Sequence, residues 1–296
     1  PILQESVVTF DQVSRRFDAT EALKDITLSV PPGCVFGLVG ANGAGKTTLI
    51  KHILGLLRAK QGTVRVFGLD PVRNPVEVLR RIGYLSEERD LPDWMRLDEL
   101  CRYTRAYYPT WDQLYAENLL ERFGLDPKQK VKNLSRGMRA QAGLIVAVAH
   151  RPDLLLLDEP SSGLDTVVRL DILGELVRAV ADEGRTALFS SHLLEEVERA
   201  SDYIAMLHQG RVILNGPLDD IKQRHQCIEF LFDVAPAQAP RIEGAIWCDG
   251  SERAWKMVCN GAAEKALAEL HEMDCRVISQ RNASLEEIFV AYAGHK

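Results

Sequence analysis

The sequence predicts an α/β fold followed by a small α+β domain, and three observations carry that reading. The unbroken apolar run Cys34 to Val39 leads into a glycine-rich loop, after which Leu49, Ile50, Ile53, Leu54 and Leu57 recur at helical spacing. A second apolar run, Leu154 to Leu157, ends in Asp158-Glu159, as a central parallel strand buried on both faces would. Beyond Gly216-Pro217 the pattern restarts in a shorter rhythm, so residues 1–220 are expected to form the main domain and 221–296 a small C-terminal one. With 296 residues, 46% hydrophobic, the chain has enough apolar material for both cores.

Taken in order, Val7 and Thr9, then Ile26, Leu28 and Val30, alternate as strands, with turns at Asp18 to Thr20 and at Pro31-Pro32-Gly33, giving an antiparallel layer. The strand, loop and helix of residues 34–57 come next. Helical patterns dominate from Arg96 to Ala149, so a helical insertion over about 88–150 interrupts the α/β core. After the strand at Leu154, Thr186 to Ser190 gives another strand and Leu193 to Ala200 a helix. Tyr203 to Leu207 and Val212 to Leu214 flank Gln209-Gly210 like a hairpin. In the last part, Ile228 to Val234 and Trp255 to Cys259 are strands. Ser284 and Glu287 form a capping box for a closing helix whose apolar face is Leu285, Ile288, Phe289 and Tyr292.

Several classes are disfavoured. Lys plus Arg number 36 against 42 Asp plus Glu, a net charge of -6, so no nucleic-acid partner is expected. No apolar run approaches the roughly 20 residues that cross a bilayer, and the opening PILQESVVTF lacks the basic start and apolar stretch of a secretory signal. The six cysteines (Cys34, Cys101, Cys227, Cys248, Cys259 and Cys275) show no CxxC or zinc spacing and are expected to be reduced thiols of a cytosolic protein.

Three segments carry chemistry. Gly40-Ala41-Asn42-Gly43-Ala44-Gly45-Lys46-Thr47 fits G-x-x-x-x-G-K-[ST] between a predicted strand and helix, with Thr48 following. Such a loop curls so that successive N–H groups meet phosphate oxygens; Lys46 reaches the β- and γ-phosphates, and Thr47 suits Mg²⁺. Asp158 and Glu159 stand at the C-terminal end of a buried strand, where ligands of parallel sheets collect. Asp158 suits the Mg²⁺ shell and Glu159 a base for the attacking water. Ser135, in Asn133-Leu134-Ser135-Arg136-Gly137-Met138-Arg139, is placed to cap the next helix, where the hydroxyl and nearby N–H groups would offer a second anion site, although taken alone it reads as an ordinary N-cap.

In this order the motifs resemble those of the nucleotide-binding (ATP-binding) subunits of ABC transporters, over the chain to about residue 216. The resemblance implies a P-loop NTPase core of the ABC type, with 40–47 as Walker A, LLLLDE as Walker B, and Leu134 to Met138 in the place of the LSGGQ signature. It makes Ser135, Arg136 and Gly137 a loop acting on the nucleotide of a second copy. Ser161-Ser162-Gly163-Leu164-Asp165 resembles the D-loop, with Asp165 its acid, and Ser190-Ser191-His192 the switch-histidine loop, so that Glu159, His192 and Glu87 form the catalytic set. Phe17, 23 residues before Gly40, occupies the place of the aromatic that stacks on adenine, although taken alone it reads as a core aromatic.

Two departures stand out. Glu87 replaces the usual Gln after Ile82-Gly83-Tyr84-Leu85-Ser86; it can still offer oxygen to Mg²⁺ or water, but its charge repels a γ-phosphate unless metal neutralises it. Arg136 replaces the second signature Gly, adding either a fork-like phosphate contact or an obstruction. Similar basic replacements, and ends like SLEEIFVAYAG, resemble separate-chain ATPase subunits of bacterial drug and antibiotic exporters. The basic run Lys128, Lys130, Lys132, Arg136 and Arg139 reads as a solvated face or as an anion attractor, and Trp94, Met95 and Trp111 as core or as a surface for a membrane partner.

The resemblance therefore implies an ATP- and Mg²⁺-dependent ATPase that forms a head-to-tail sandwich with a second copy and powers a separate membrane permease, in the direction of export. Such a subunit works on the cytoplasmic side, peripheral to the inner face of the membrane. The competing reading is an ABC-type nucleotide-gated regulatory module in which Arg136 and Glu87 weaken hydrolysis.

Overall fold

In the computed structural model, which describes residues 6–18, 20–181, 184–236 and 238–294, β1 (Val8–Phe17) and β2 (Thr20–Val30) pair antiparallel, Val8 opposite Val30 and Phe10 opposite Leu28. β3 (Val35–Gly40), buried at all six positions, runs into α1 (Lys46–Ile53), and β4 (Gln61–Val66) returns to the free side of β1 to complete a three-stranded layer. The helix is shorter than the apolar spacing predicts because Gly55 stops it. At φ +71° Gly55 takes the left-handed conformation, its N–H donates to the His52 carbonyl at 3.1 Å, and the Leu56 N–H donates to that of Lys51 at 2.9 Å. Leu57 thus lies beyond the helix.

α2 (Pro75–Leu79) precedes β5 (Ile82–Leu85), and α3 (Leu97–Arg105), α4 (Gln113–Arg122) and α5 (Arg136–Val148) fill the expected helical stretch. β6 (Leu154–Asp158), α6 (Thr166–Ala181), β7 (Thr186–Ser191), α7 (Leu194–Ala200), β8 (Tyr203–His208) and β9 (Arg211–Pro217) complete a six-stranded sheet ordered β5-β6-β7-β3-β8-β9. The neighbours β5/β6, β6/β7, β7/β3 and β3/β8 are parallel. The five residues of β6 are all buried, as the unbroken apolar run Leu154 to Leu157 requires, and each of these leucine side chains contributes roughly 1.5–3 kcal/mol of burial. The registers Leu38 to Ser190 and Asp158 to Ser190 bring the C-terminal ends of β3, β6 and β7 to one edge.

Backbone approaches backbone where β5 meets α5. A Cβ on Gly83 would come within 2.0 Å of the Ala147 carbonyl oxygen, and one on Gly143 within 2.7 Å of the Leu85 side chain. Only glycine lets these elements sit so close.

Residue contacts divide the chain into a unit ending at Val212 and a unit beginning at Ile213, inside β9 and upstream of the break expected near residue 220. In the second unit, α8 (Leu218–Arg224) leads to β10 (His225–Phe232), β11 (Ala245–Ser251) and β12 (Ala254–Asn260); α9 (Ala263–His271), β13 (Cys275–Asn282) and α10 (Leu285–Ala293) follow. The antiparallel sheet is ordered β11-β12-β10-β13. Its core holds Ile228, Phe230, Met257, Cys259 and Leu270. The closing helix has the predicted capping box: the Glu287 N–H donates to Ser284 Oγ at 3.2 Å and the Ser284 N–H to Glu287 Oε2 at 2.9 Å. All six cysteines are free thiols.

Candidate functional site

A cavity of about 250 Å³ opens at the C-terminal end of β3, lined by Asn42 through Thr48 together with Ala22, Glu87 and Glu159. The chain turns into it at Gly45, whose φ of +113° excludes ordinary side chains, and Gly45 caps α1 without any side-chain hydrogen bond. The first-turn N–H groups of α1 are therefore left for an anion, and a Cβ at Gly43 would meet nothing within 4 Å. Lys46 is buried. Its Nζ donates to the Gly40 carbonyl at 2.6 Å and lies 3.0 Å from Glu159 Oε1. This last contact is an ion pair without hydrogen-bond alignment, since Glu159 Oε1 receives no donor in proper geometry.

Asp158 and Glu159 are both buried, but their oxygens meet different partners. Asp158 Oδ1 accepts from Ser190 Oγ at 2.7 Å and from Thr47 Oγ1 at 3.3 Å. Ser190 Oγ in turn accepts from the Glu159 N–H at 2.9 Å. Glu159 adopts a left-handed φ of +47°, which turns its carboxylate toward Lys46 on one side and His192 on the other, with His192 Nδ1 2.7 Å from Oε2. Such a backbone conformation costs about 1–3 kcal/mol in a non-glycine residue and is held here by the Ser190 bond.

Thr47, Asp158 and Glu87 offer only oxygen donors, and no cluster of three or more His, Cys, Asp or Glu side chains able to hold a metal forms among the described residues. An oxygen-only donor set suits a hard cation such as Mg²⁺, which keeps most of its waters and shares phosphate oxygens.

The remaining expected residues lie apart from this cavity. Phe17 is 40% exposed, lies under the Arg15 guanidinium at 4.7 Å, and does not line the cavity. Ser135 is the N-cap of α5, accepting from the Met138 N–H at 3.2 Å; Gly137 lies on the same first turn, facing Val168. The Arg136 guanidinium covers Gly163 so closely that a Cβ there would lie 2.2 Å from Nη1. Asp165 spends its Oδ1 on the N–H groups of Val167 and Val168 at the start of α6, an ordinary capping duty. Met95 is buried while Trp94 is 68% exposed, so the core and surface readings divide between these two side chains. The basic run is partly neutralised, Lys128 by Asp98 and Arg139 by Asp93.

Two buried charges near the site escape the sequence reading. Arg89 follows Glu87 in a run of charges that looks solvated, yet it is 3% exposed. Glu196, in the helix after His192, is 5% exposed. Neither run shows an apolar alternation that would mark one member as inward.

The ABC transporter family model matches residues 23–162. The ABC transporter ATP-binding protein YtrB of Bacillus subtilis is 31% identical over 290 residues, covering 98% of this chain and 99% of its own length. The daunorubicin/doxorubicin resistance ATP-binding protein DrrA of Streptomyces peucetius is 33% identical, over 94% of this chain and 90% of its own. Among solved structures, an ATP binding subunit of an ABC transporter superposes with a TM-score of 0.68 at 31% identity, covering 74% of this chain and 92% of that one.

Proposed function

The chain belongs to the ABC transporter family as an ATP-binding subunit, and from that premise we propose that it hydrolyses ATP in a sandwich with a second copy of itself and drives a separate membrane permease, in the direction of export. The observation that carries this reading is the single cavity in which the phosphate loop, Lys46 and Glu159 meet. Export is supported by the likeness to a drug-resistance subunit. No helix among the described residues is long and apolar enough to cross a membrane.

The loop from Gly40 to Thr48 binds the ATP phosphates through backbone N–H groups and the Lys46 ammonium. Thr47 and Asp158 would hold Mg²⁺, with Glu87 beside them, and the ion would supply charge neutralisation at the phosphate oxygens. Glu159 orients water and takes its proton, while His192, hydrogen-bonded to the same carboxylate, fixes its direction. Phe17 stacks on the adenine, and Ser135, Arg136 and Gly137 approach the phosphates held by the second copy, with Asp165 nearby. The exposed Trp94 and the apolar groove of about 310 Å³ lined by Leu54, Leu56, Leu79, Tyr84 and Tyr108 give the permease a place to dock. Work at the inner face of the cell membrane follows from that partnership.

A nucleotide-gated module with weak turnover is the second reading, favoured by one observation: the Arg136 side chain occupies its own Gly163. Sedimentation of Glu159→Gln with MgATP, alongside the wild-type phosphate-release rate, tests both. A MgATP-dependent dimer together with wild-type turnover supports the transporter ATPase. A protein that stays monomeric at saturating ATP contradicts the sandwich, and a wild type without turnover leaves the regulatory module.

A further inference from the structure

The segment from Pro160 to Gly163, between β6 and α6, is gripped by two buried charges of opposite sign. From one side, Arg89 Nη2 donates to the carbonyls of Pro160 at 3.1 Å and Ser162 at 2.9 Å. Its Nε finds no acceptor, and it forms no ion pair among the described residues. Burial and the neighbouring Arg136 both work against this guanidinium's charge, and Glu87 favours it. From the other side, Glu196 Oε2 accepts from Ser161 Oγ at 2.6 Å and from Ser191 Oγ at 3.1 Å, and Oε1 lies 3.1 Å from Arg169 Nε.

A buried ion that lacks a direct counter-ion costs stability relative to an apolar side chain, so its contribution is the geometry it imposes. Here that geometry joins loops with separate chemical duties. Arg89 is two residues from Glu87, which lines the nucleotide cavity, and its backbone is itself held in a left-handed turn at φ +53°. Ser191 is adjacent to His192, and Pro160 to Glu159. A shift of either grip would reach the base from behind without touching ATP.

We infer that Arg89 and Glu196 are positioning residues for hydrolysis, holding residues 160–163 so that Glu159 keeps its place between Lys46 and His192. This rests on the ATPase reading above. Neither side chain lines the cavity.

Steady-state hydrolysis and ATP affinity of the purified full-length chain test it, with Arg89→Met, Arg89→Lys and Ser161→Ala beside the wild type. Arg89→Met should lower kcat by about 2- to 30-fold, the range that loss of a coupling contact produces, with KM and ATP affinity within about twofold. Arg89→Lys, whose ammonium can still donate to a carbonyl, should recover most of that loss. Ser161→Ala, which deletes one hydroxyl, should also lower kcat alone. Wild-type kcat in Arg89→Met, equal damage in Met and Lys variants, or a KM that rises in step with the loss of kcat would each overturn the inference. If Arg89→Met does not fold, wild-type kcat in Ser161→Ala overturns it. A wild type that binds ATP but never turns over defeats the ATPase reading instead, which separates the two failures.

Discussion

Lys46 and Glu159 form a buried ion pair at 3.0 Å across the mouth of the phosphate loop. In the proposed mechanism each group is needed elsewhere, the ammonium by phosphate oxygens and the carboxylate by water. The contact pairs the two charges with each other, and the proposed cycle requires it to be exchanged for those partners.

Glu159→Gln removes the carboxylate's basicity and its hold on Lys46. Turnover should fall by ~10²- to 10⁴-fold, while ATP affinity should be kept or increase. Lys46→Ala should do the reverse, weakening ATP binding through loss of a charge-assisted contact. Phosphate release and calorimetric titration separate the two variants, and undiminished turnover in Glu159→Gln would remove it as the base.

Arg136 distinguishes a phosphate contact from an obstruction by the sign of its effect. If the guanidinium leaves Gly163 to meet the nucleotide held by a second copy, Arg136→Ala should slow hydrolysis and raise the ATP concentration needed for dimerisation. We expect that outcome. Faster turnover in both Arg136→Ala and Arg136→Gly would show that the natural side chain restrains the cycle.

Stability should fall as the medium is acidified through the histidine range. Burial lowers the pKa of His52, His150 and His225 below the ordinary value of 6.5. The unfolded chain then binds more protons, so the stabilisation is complete above about pH 6.5 and declines as pH drops toward the folded-state values, by up to about 1.4 kcal/mol per pH unit for each group. His225 Nδ1 lies 2.6 Å from the Ile221 carbonyl and Nε2 3.1 Å from the Tyr292 hydroxyl, which suits the neutral ring with its proton on Nδ1. Urea unfolding of wild type and His225→Gln at pH 7.5 and 5.5 measures this. The variant should lose less stability on acidification than the wild type, and equal losses would count against it.

Glu287 anchors the closing helix more firmly than a capping box alone. Besides Ser284, its carboxylate receives Arg281 at 2.6 and 2.8 Å and Lys256, and these partners hold it well below the usual carboxylate range. Ser284→Ala should cost about 1 kcal/mol, the ordinary value of a cap. Glu287→Ala should cost more, since it strips the cap's second half and leaves Lys256 unpaired, although the exposure of Arg281 limits the difference. Equal effects in urea unfolding would reduce Glu287 to its capping role.

How much of this was legible depended on the burial each residue experiences. The runs at Cys34 and Leu154 are apolar because parallel strands lie covered on both faces; Asp158 and Glu159 stand at the end of the second, and the glycine-rich loop carries the first on to Lys46 and Thr47. β11 and β13 gave weaker signals, since each is an edge strand with exposed positions, such as Asp249 and Gly250 or Arg276 and Ile278. Arg89 and Glu196 were hidden for another reason. Their neighbours in sequence are charged, and only the fold brings the Ser161 segment over one and under the other.

The glycine contact between β5 and α5 has a mechanical side. From Ala147, which presses on Gly83, the helix runs twelve residues back to Ser135, about 18 Å at 1.5 Å per residue. With backbone touching backbone at one end, β5 and the helix form a stiff arm whose short side ends near Glu87. A tilt of about 5° at that fulcrum would swing Ser135 by roughly 1.6 Å, half the length of a hydrogen bond. A small tilt at the Gly83 contact would thus be amplified at a residue that stands a helix length away.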